Sequence, residues 1–271
     1  MRNDAVVELL RAVRYEVIPT KTIEAKILES VPKDVTVTVT ASPAKGLAPT
    51  LELTERLSAN GYRVVPHLSA RLVVDEIQLK DIVDRLVVAG VTEVFVPAGD
   101  ADPPAGKYHG ALPLLIDLST LGRPFDRIGI TGYPESHPAI DDDIVVQAMW
   151  DKRAHATHIV SNLCFDPKVL AAWVRRVHRR GVTLPIKLGL AGPVERTKLL
   201  AMATKIGVGE SARFLGRHAL WFARLTAPYS PERLLTRAVA GLPPGAVDGL
   251  HVFTFNQVAE TELWRTALLG S

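Results

Sequence analysis

Eight short, apolar, β-branched runs recur along this chain with longer stretches of helical periodicity between them, and that alternation limits its folds more than any other feature. The strand-like runs lie at 13–18, 35–39, 62–67, 93–96, 127–130, 158–162, 185–190 and 250–254. Apolar residues at helical spacing mark 23–30, 51–60, 74–89, 112–121, 142–154, 168–180 and 194–206, with a closing helix at 258–269. Strands separated by helices pair in parallel, because a crossover returns each strand in the same direction. An open doubly wound sheet would carry a glycine-rich turn after its first strand, and here that turn reads Ile18-Pro19-Thr20-Lys21. The expected fold is therefore α/β, a (β/α)8 TIM barrel in which residues 1–271 form a single domain.

Local chemistry supports the boundaries. Asp166 followed by Pro167 is a helix start, since proline lacks only a donor that the first turn does not use. Gly181 stops the same helix, and Asn60-Gly61 stops an earlier one. Extra helical material at 210–240, including Glu210-Ser211-Ala212-Arg213-Phe214 and 231–239, precedes the last strand, which Pro243-Pro244-Gly245 reintroduces.

Composition removes several function classes. Apolar types make up 47% of the chain and charged types 23%, enough hydrophobic material to offset the entropy of ordering it, so a wholly disordered chain is excluded. No apolar run approaches the ~18 residues of a membrane helix. Asp4 and Glu8 interrupt the start, which lacks a secretory h-region, and a cytoplasmic location is expected. The single cysteine, Cys164, permits neither an internal disulfide nor a multi-cysteine metal site and reads as a core residue. A net charge of +3 announces no nucleic-acid partner, and the basic run 175–180 reads as a solvated helix end.

A barrel works at the C-terminal ends of its strands, so the residues there are the candidates for chemistry. In Tyr15-Glu16-Val17 the alternation turns Glu16 away from its apolar neighbours and into the barrel. Such an acid is either a proton donor kept neutral by burial or the partner of an inward base such as Lys187. Asp100 follows Gly99, where glycine lets a carboxylate approach a ligand; an Asx turn is the alternative. His67 and His137 sit at strand ends, where structural donors are common, and no third ligand at a diagnostic spacing accompanies them, so no metal is expected. Thr254 and Asn256 at the last strand end are expected at the same mouth, and the four tryptophans read as packing.

Read in order, the strand ends resemble the methylenetetrahydrofolate reductase family, flavoproteins built on a (β/α)8 barrel. The resemblance rests on Tyr15-Glu16-Val17-Ile18-Pro19-Thr20-Lys21-Thr22, Pro66-His67-Leu68, Gly99-Asp100, Gly132-Tyr133-Pro134-Glu135-Ser136-His137-Pro138, Asn162-Leu163-Cys164-Phe165-Asp166 and Gly249-Leu250-His251-Val252-Phe253-Thr254-Phe255-Asn256. It implies reduction of 5,10-methylenetetrahydrofolate to 5-methyltetrahydrofolate with NADH or NADPH as hydride donor and a small-molecule folate as substrate. Glu16 matches the general acid that opens the five-membered ring, and Asp100 the acid beside the pterin. Thr40, His67, Gly99, Tyr133 and His137 match cofactor-lining positions, with Thr36 and Thr38 as alternative registers for Thr40. Asn162 and Phe255 match substrate positions.

Departures accompany the matches. Ala98 stands where the family carries an arginine for FAD, which removes a charge-assisted phosphate contact. Leu199 and Ala203 replace a glutamine and a phenylalanine that hold the nicotinamide, Asn162 replaces a glutamine, and Gln257 an arginine. The pattern keeps the acid chemistry and sheds nucleotide-gripping side chains, which points to a divergent member without a tightly held flavin. Two other readings compete: a Schiff-base aldolase barrel using Lys187, and a folate- or nucleotide-binding barrel without turnover.

Overall fold

The computed structural model describes residues 4–134, 142–164, 166–194, 230–242 and 245–270. Within them the chain runs α1 (Asp4–Arg11), β1 (Val13–Val17), α2 (Ile23–Ser30), β2 (Thr36–Val39), α3 (Ala48–Ala59), β3 (Val64–Pro66), α4 (Glu76–Val88), β4 (Glu93–Phe95) and α5 (Ala111–Thr120). It continues with β5 (Arg127–Gly132), α6 (Asp142–Lys152), β6 (His158–Ser161), α7 (Pro167–Arg179), β7 (Ile186–Ala191), α8 (Pro231–Ala240), β8 (Val247–Phe253) and α9 (Val258–Gly270). The expected stretches at 194–206 and 210–229 lie outside the described residues, apart from Val194.

All eight strands pair in parallel in the order β3-β2-β1-β8-β7-β6-β5-β4. The remaining seam closes through a parallel bridge between His67 and Phe95, where the Leu68 amide donates to the Phe95 carbonyl at 2.8 Å. The product is the expected (β/α)8 barrel.

Boundaries follow the local chemistry. Asp166 Oδ1 accepts from the amides of Lys168 and Val169 at 2.9 and 3.4 Å and caps α7. Asp75 does the same for α4, accepting from the Gln78 amide at 2.9 Å, so the helix begins later than the apolar pattern at 74. Helix α1, absent from the expected elements, buries Leu9 and Leu10 beside the start of β8. Helix α9 is tied to β1 by a buried cluster: Tyr15 Oη donates to Glu262 Oε2 at 2.7 Å, and Arg265 grips both Glu262 oxygens at 2.9 and 2.8 Å.

Strand parity sorts the side chains. On β1, Val13, Tyr15 and Val17 belong to the main apolar core between strands and helices, while Arg14 and Glu16 face inward. A separate small cluster of Val65, Phe95 and Val160 fills part of the interior. The N-terminal floor is ionic. Arg14 reaches Glu93 at 2.7 Å, His158 Nε2 lies 3.1 Å from the same oxygen, Arg127 contacts Glu93 at 3.3 Å and Asp248 at 3.4 Å, and Lys187 contacts Asp248 at 3.3 Å. Burial alone would raise the Glu93 pKa, but His158 and Arg14 outweigh it and hold the carboxylate well below its ordinary range.

Candidate active site

Glu16 occupies the penultimate position of β1, directly beside Thr38 on one side and Phe253 on the other. Its backbone is clamped from β8. Thr254 Oγ1 donates to the Glu16 carbonyl at 2.6 Å, and the Asn256 amide spans the next residues, accepting from Ile18 N at 2.8 Å and donating to Ile18 O at 2.9 Å. To make that span the chain turns through left-handed backbone at Phe255 (φ 50°) and Asn256 (φ 61°), which costs about 1–2 kcal/mol per residue for most side chains and less for asparagine. Thr254 and Asn256 thus clamp the end of β1 to the end of β8. Phe255 is half-buried on the same turn.

The Glu16 carboxyl has two different oxygens. Oε2 makes a 2.8 Å hydrogen bond with His251 Nε2 and lies 3.6 Å from His67 Nε2. Oε1 has no protein partner among the described residues, and the side chain as a whole is 15% exposed. Burial pushes the Glu16 pKa up to about 7, with the nearby His67 pulling weakly the other way. The expectation that Lys187 could neutralise this acid is corrected. Lys187 is inward and buried, but it contacts Asp248 at the floor, where β7 begins, and Ala191, at the other end of β7, is the residue that pairs with Phe253 at the mouth. Four residues of strand separate the two levels, roughly 13 Å.

Both histidines are held neutral. Burial lowers the His67 pKa to about 4, opposed by Glu16. His251, only 1% exposed, is lowered well below its ordinary value by burial and then by the positive charges of Arg14 and Lys187. Phe95 packs edge-on against His67 with ring centroids 4.7 Å apart, and Phe253 edge-on against His251 at 4.9 Å. Three polar atoms in this layer are buried without a hydrogen-bond partner: His67 Nε2, His251 Nδ1 and Thr38 Oγ1. Among the described residues no cluster of three or more His, Cys, Asp or Glu is arranged to hold a metal ion.

The rim is built by the loops after β3 and β4. Gly99 has φ +84°, and a Cβ there would lie 3.0 Å from Ser69 Cβ, so glycine is needed both for the turn and for the close approach of the two loops. Asp100, next in the chain, is exposed. Its charge is felt by Tyr133 at the end of β5, whose phenol is raised first by burial and then by Asp100. Asp100 is thus close enough for its charge to bear on the Tyr133 phenol. Thr40 lies just beyond β2 and is partly exposed, whereas Thr38 is fully buried beside Glu16. Asn162 is exposed after β6, its Oδ1 accepting from the Leu163 amide at 2.8 Å. His137 lies outside the described residues.

His251 is the contact residue that parity could have found: in Leu250-His251-Val252 the apolar neighbours point outward, as Tyr15 and Val17 do around Glu16. Without the register between β1 and β8, nothing in the chain ties it to residue 16, which lies 235 positions away.

A closed (β/α)8 barrel with a desolvated carboxyl group and neutral imidazoles at its C-terminal mouth defines the class: a barrel with the layout of an enzyme site. Residues 20–209 match the sequence model described as methylenetetrahydrofolate reductase, well over half of the chain, and the protein belongs to that family. The matched stretch contains Thr40, His67, Asp100, Tyr133 and Asn162, while Glu16 and the β8 residues fall outside it. Among solved structures, oxaloacetate acetylhydrolase aligns at 11% identity and TM-score 0.55, over 93% of this chain and 78% of its own. A candidate lyase/mutase from Burkholderia cenocepacia J2315 aligns at 14% identity and TM-score 0.52, over 98% of this chain and 84% of its own. At such identities these similarities speak for the fold alone.

Proposed function

We propose that this protein reduces 5,10-methylenetetrahydrofolate to 5-methyltetrahydrofolate, with Glu16 as the general acid and NADH or NADPH as the hydride donor. The observation that carries the reading is the Glu16 carboxyl itself: buried, raised by that burial to about 7, and with one oxygen that has no protein partner among the described residues. Its proton passes to the bridging nitrogen of the substrate, the ring carbon–nitrogen bond breaks, and the methylene carbon becomes an iminium electrophile. Hydride from the nicotinamide adds to that carbon and completes the methyl group. Glu16 is then reprotonated from solvent through the exposed side of its carboxyl. Asp100 at the rim places a negative charge where the cationic intermediate forms.

Members of the family are generally flavin-dependent, and FAD would supply hydride relay if bound. The described residues do not fit a tightly held FAD. Ala98 leaves its loop without a guanidinium, and Arg71 on the adjoining loop spends its own on the carbonyls of His109 and Ala101, at 3.1 and 3.3 Å. His67, expected beside the flavin, is turned into the barrel toward Glu16. The reading is therefore of direct transfer between nicotinamide and folate. Anaerobic turnover of methylenetetrahydrofolate with each nicotinamide, followed alongside the visible spectrum, tests it. Expected are methyltetrahydrofolate formation without added flavin and no stoichiometric flavin band; a protein that turns over only when loaded with flavin refutes direct transfer, and one that forms no methyltetrahydrofolate under any condition refutes the activity.

A further inference from the structure

We infer that His251 is the positioning residue of this site: by donating to Oε2 of Glu16 it assigns the acidic proton to the other oxygen, Oε1, the one that meets the substrate. The inference rests on the reading of Glu16 as proton donor and adds which atom donates and what selects it.

A neutral imidazole carries one N–H and one bare nitrogen, and their assignment follows from the partners available. His251 Nε2 faces Glu16 Oε2 at 2.8 Å, and Nδ1 is buried with no partner. With the proton on Nδ1, a buried N–H would be orphaned, the costlier of the two mismatches; with it on Nε2, only a bare acceptor is left unpaired. The Nε2–H tautomer is thereby favoured, and it donates to Oε2. A protonated Glu16 must then carry its hydrogen on Oε1, because a second hydrogen on Oε2 would point at that N–H. Among the described residues Oε1 is the oxygen without a protein partner, so its hydrogen is free for the substrate.

The ring has little freedom to evade this role. It is wedged edge-on against Phe253, tilted against Phe95 at 6.4 Å, and carried on a strand paired on both sides, with Arg14 across on β1 and Gly189 across on β7. The charged and titratable groups that bear on it are Glu16 and Arg14 from β1, His67 just after β3, Glu93 from β4 and Lys187 from β7. Burial, and then the two cations Arg14 and Lys187, keep it from taking a second proton.

The test uses the full chain and three variants, assayed for kcat, KM and pH profile. His251→Phe removes the donor while keeping a ring, and His251→Gln restores a donor near the Nε2 position. Expected is a fall in kcat of about 100-fold for His251→Phe with KM changed little, a basic limb of its pH profile moved from the parent position, and recovery to within about 10-fold by His251→Gln. A His251→Phe protein with kcat within about threefold of the parent, or a folded His251→Gln protein no better than His251→Phe, overturns the inference. Glu16→Gln separates the two claims: if it stays active the general-acid reading fails, and if it is dead while His251→Phe is normal only the role of His251 fails. Should His251→Phe not fold, nitrogen-15 NMR of the histidine-labelled parent decides, with Nε2–H expected and Nδ1–H refuting.

Discussion

Glutamine in place of Glu16 is expected to abolish turnover and at the same time to stabilise the protein, by an amount that depends on pH. The carboxyl titrates near 4.5 in an unfolded chain and at about 7 inside the barrel, so at about 1.4 kcal/mol per pH unit its ionisation opposes folding by up to about 3 kcal/mol. Below pH 4.5 both states hold the proton and nothing is lost. Between 4.5 and about 7 the unfolded chain releases it first, so stability declines as pH rises; above about 7 the loss is complete and constant. Glutamine never ionises, and its amide can still hydrogen-bond His251. The Glu16→Gln protein should therefore melt at nearly the parent temperature at pH 4.5–5 and several degrees higher at pH 8, at about 2–4 °C per kcal/mol for a domain of this size. Thermal unfolding of both proteins at the two pH values makes the comparison, and the histidines, common to both, cancel in the difference. A melting difference that is the same at both pH values, or a variant less stable at pH 8, would mean that Glu16 is not desolvated as described.

Acidification should destabilise the Glu16→Gln protein as the pH falls from 6.5 through about 4, because His67, with His158 and His251, is buried neutral and the unfolded chain binds those protons first; a urea midpoint unchanged between pH 7 and 5 contradicts this. Glu93→Gln strips the Arg14 guanidinium of its partner in a buried site and should cost about 3–5 kcal/mol, read as a lower denaturant midpoint, whereas an unchanged midpoint would show the floor charges to be solvated. Asn256→Ala removes both hydrogen bonds to Ile18 from a left-handed position and should cost about 2–3 kcal/mol, with kcat falling because the chain just beyond Glu16 loses its tie to the end of β8; Asn256→Gly should recover only the conformational part.

The barrel was legible in the chain because period-2 and period-3.6 patterns are local: each strand and each helix between them carries its own burial signal, and eight repetitions leave few folds that accommodate them. Glu16 was legible for the same reason, as one polar residue between Tyr15 and Val17 in a strand buried on both faces. Helix α1 was not, since eight residues offer only two turns of pattern. Nor were the partners. Whether Glu16 faced Lys187 or a histidine depends on how far along the barrel axis each strand is staggered, and that stagger is set by pairing between segments hundreds of residues apart. Sequence alone determined that an acid points inward on the first strand and that the eighth strand carries a histidine of the same parity. Only the closed barrel decided that the two meet at hydrogen-bonding distance above a cationic floor, because a residue's neighbours across a sheet are fixed by register, which no local pattern encodes.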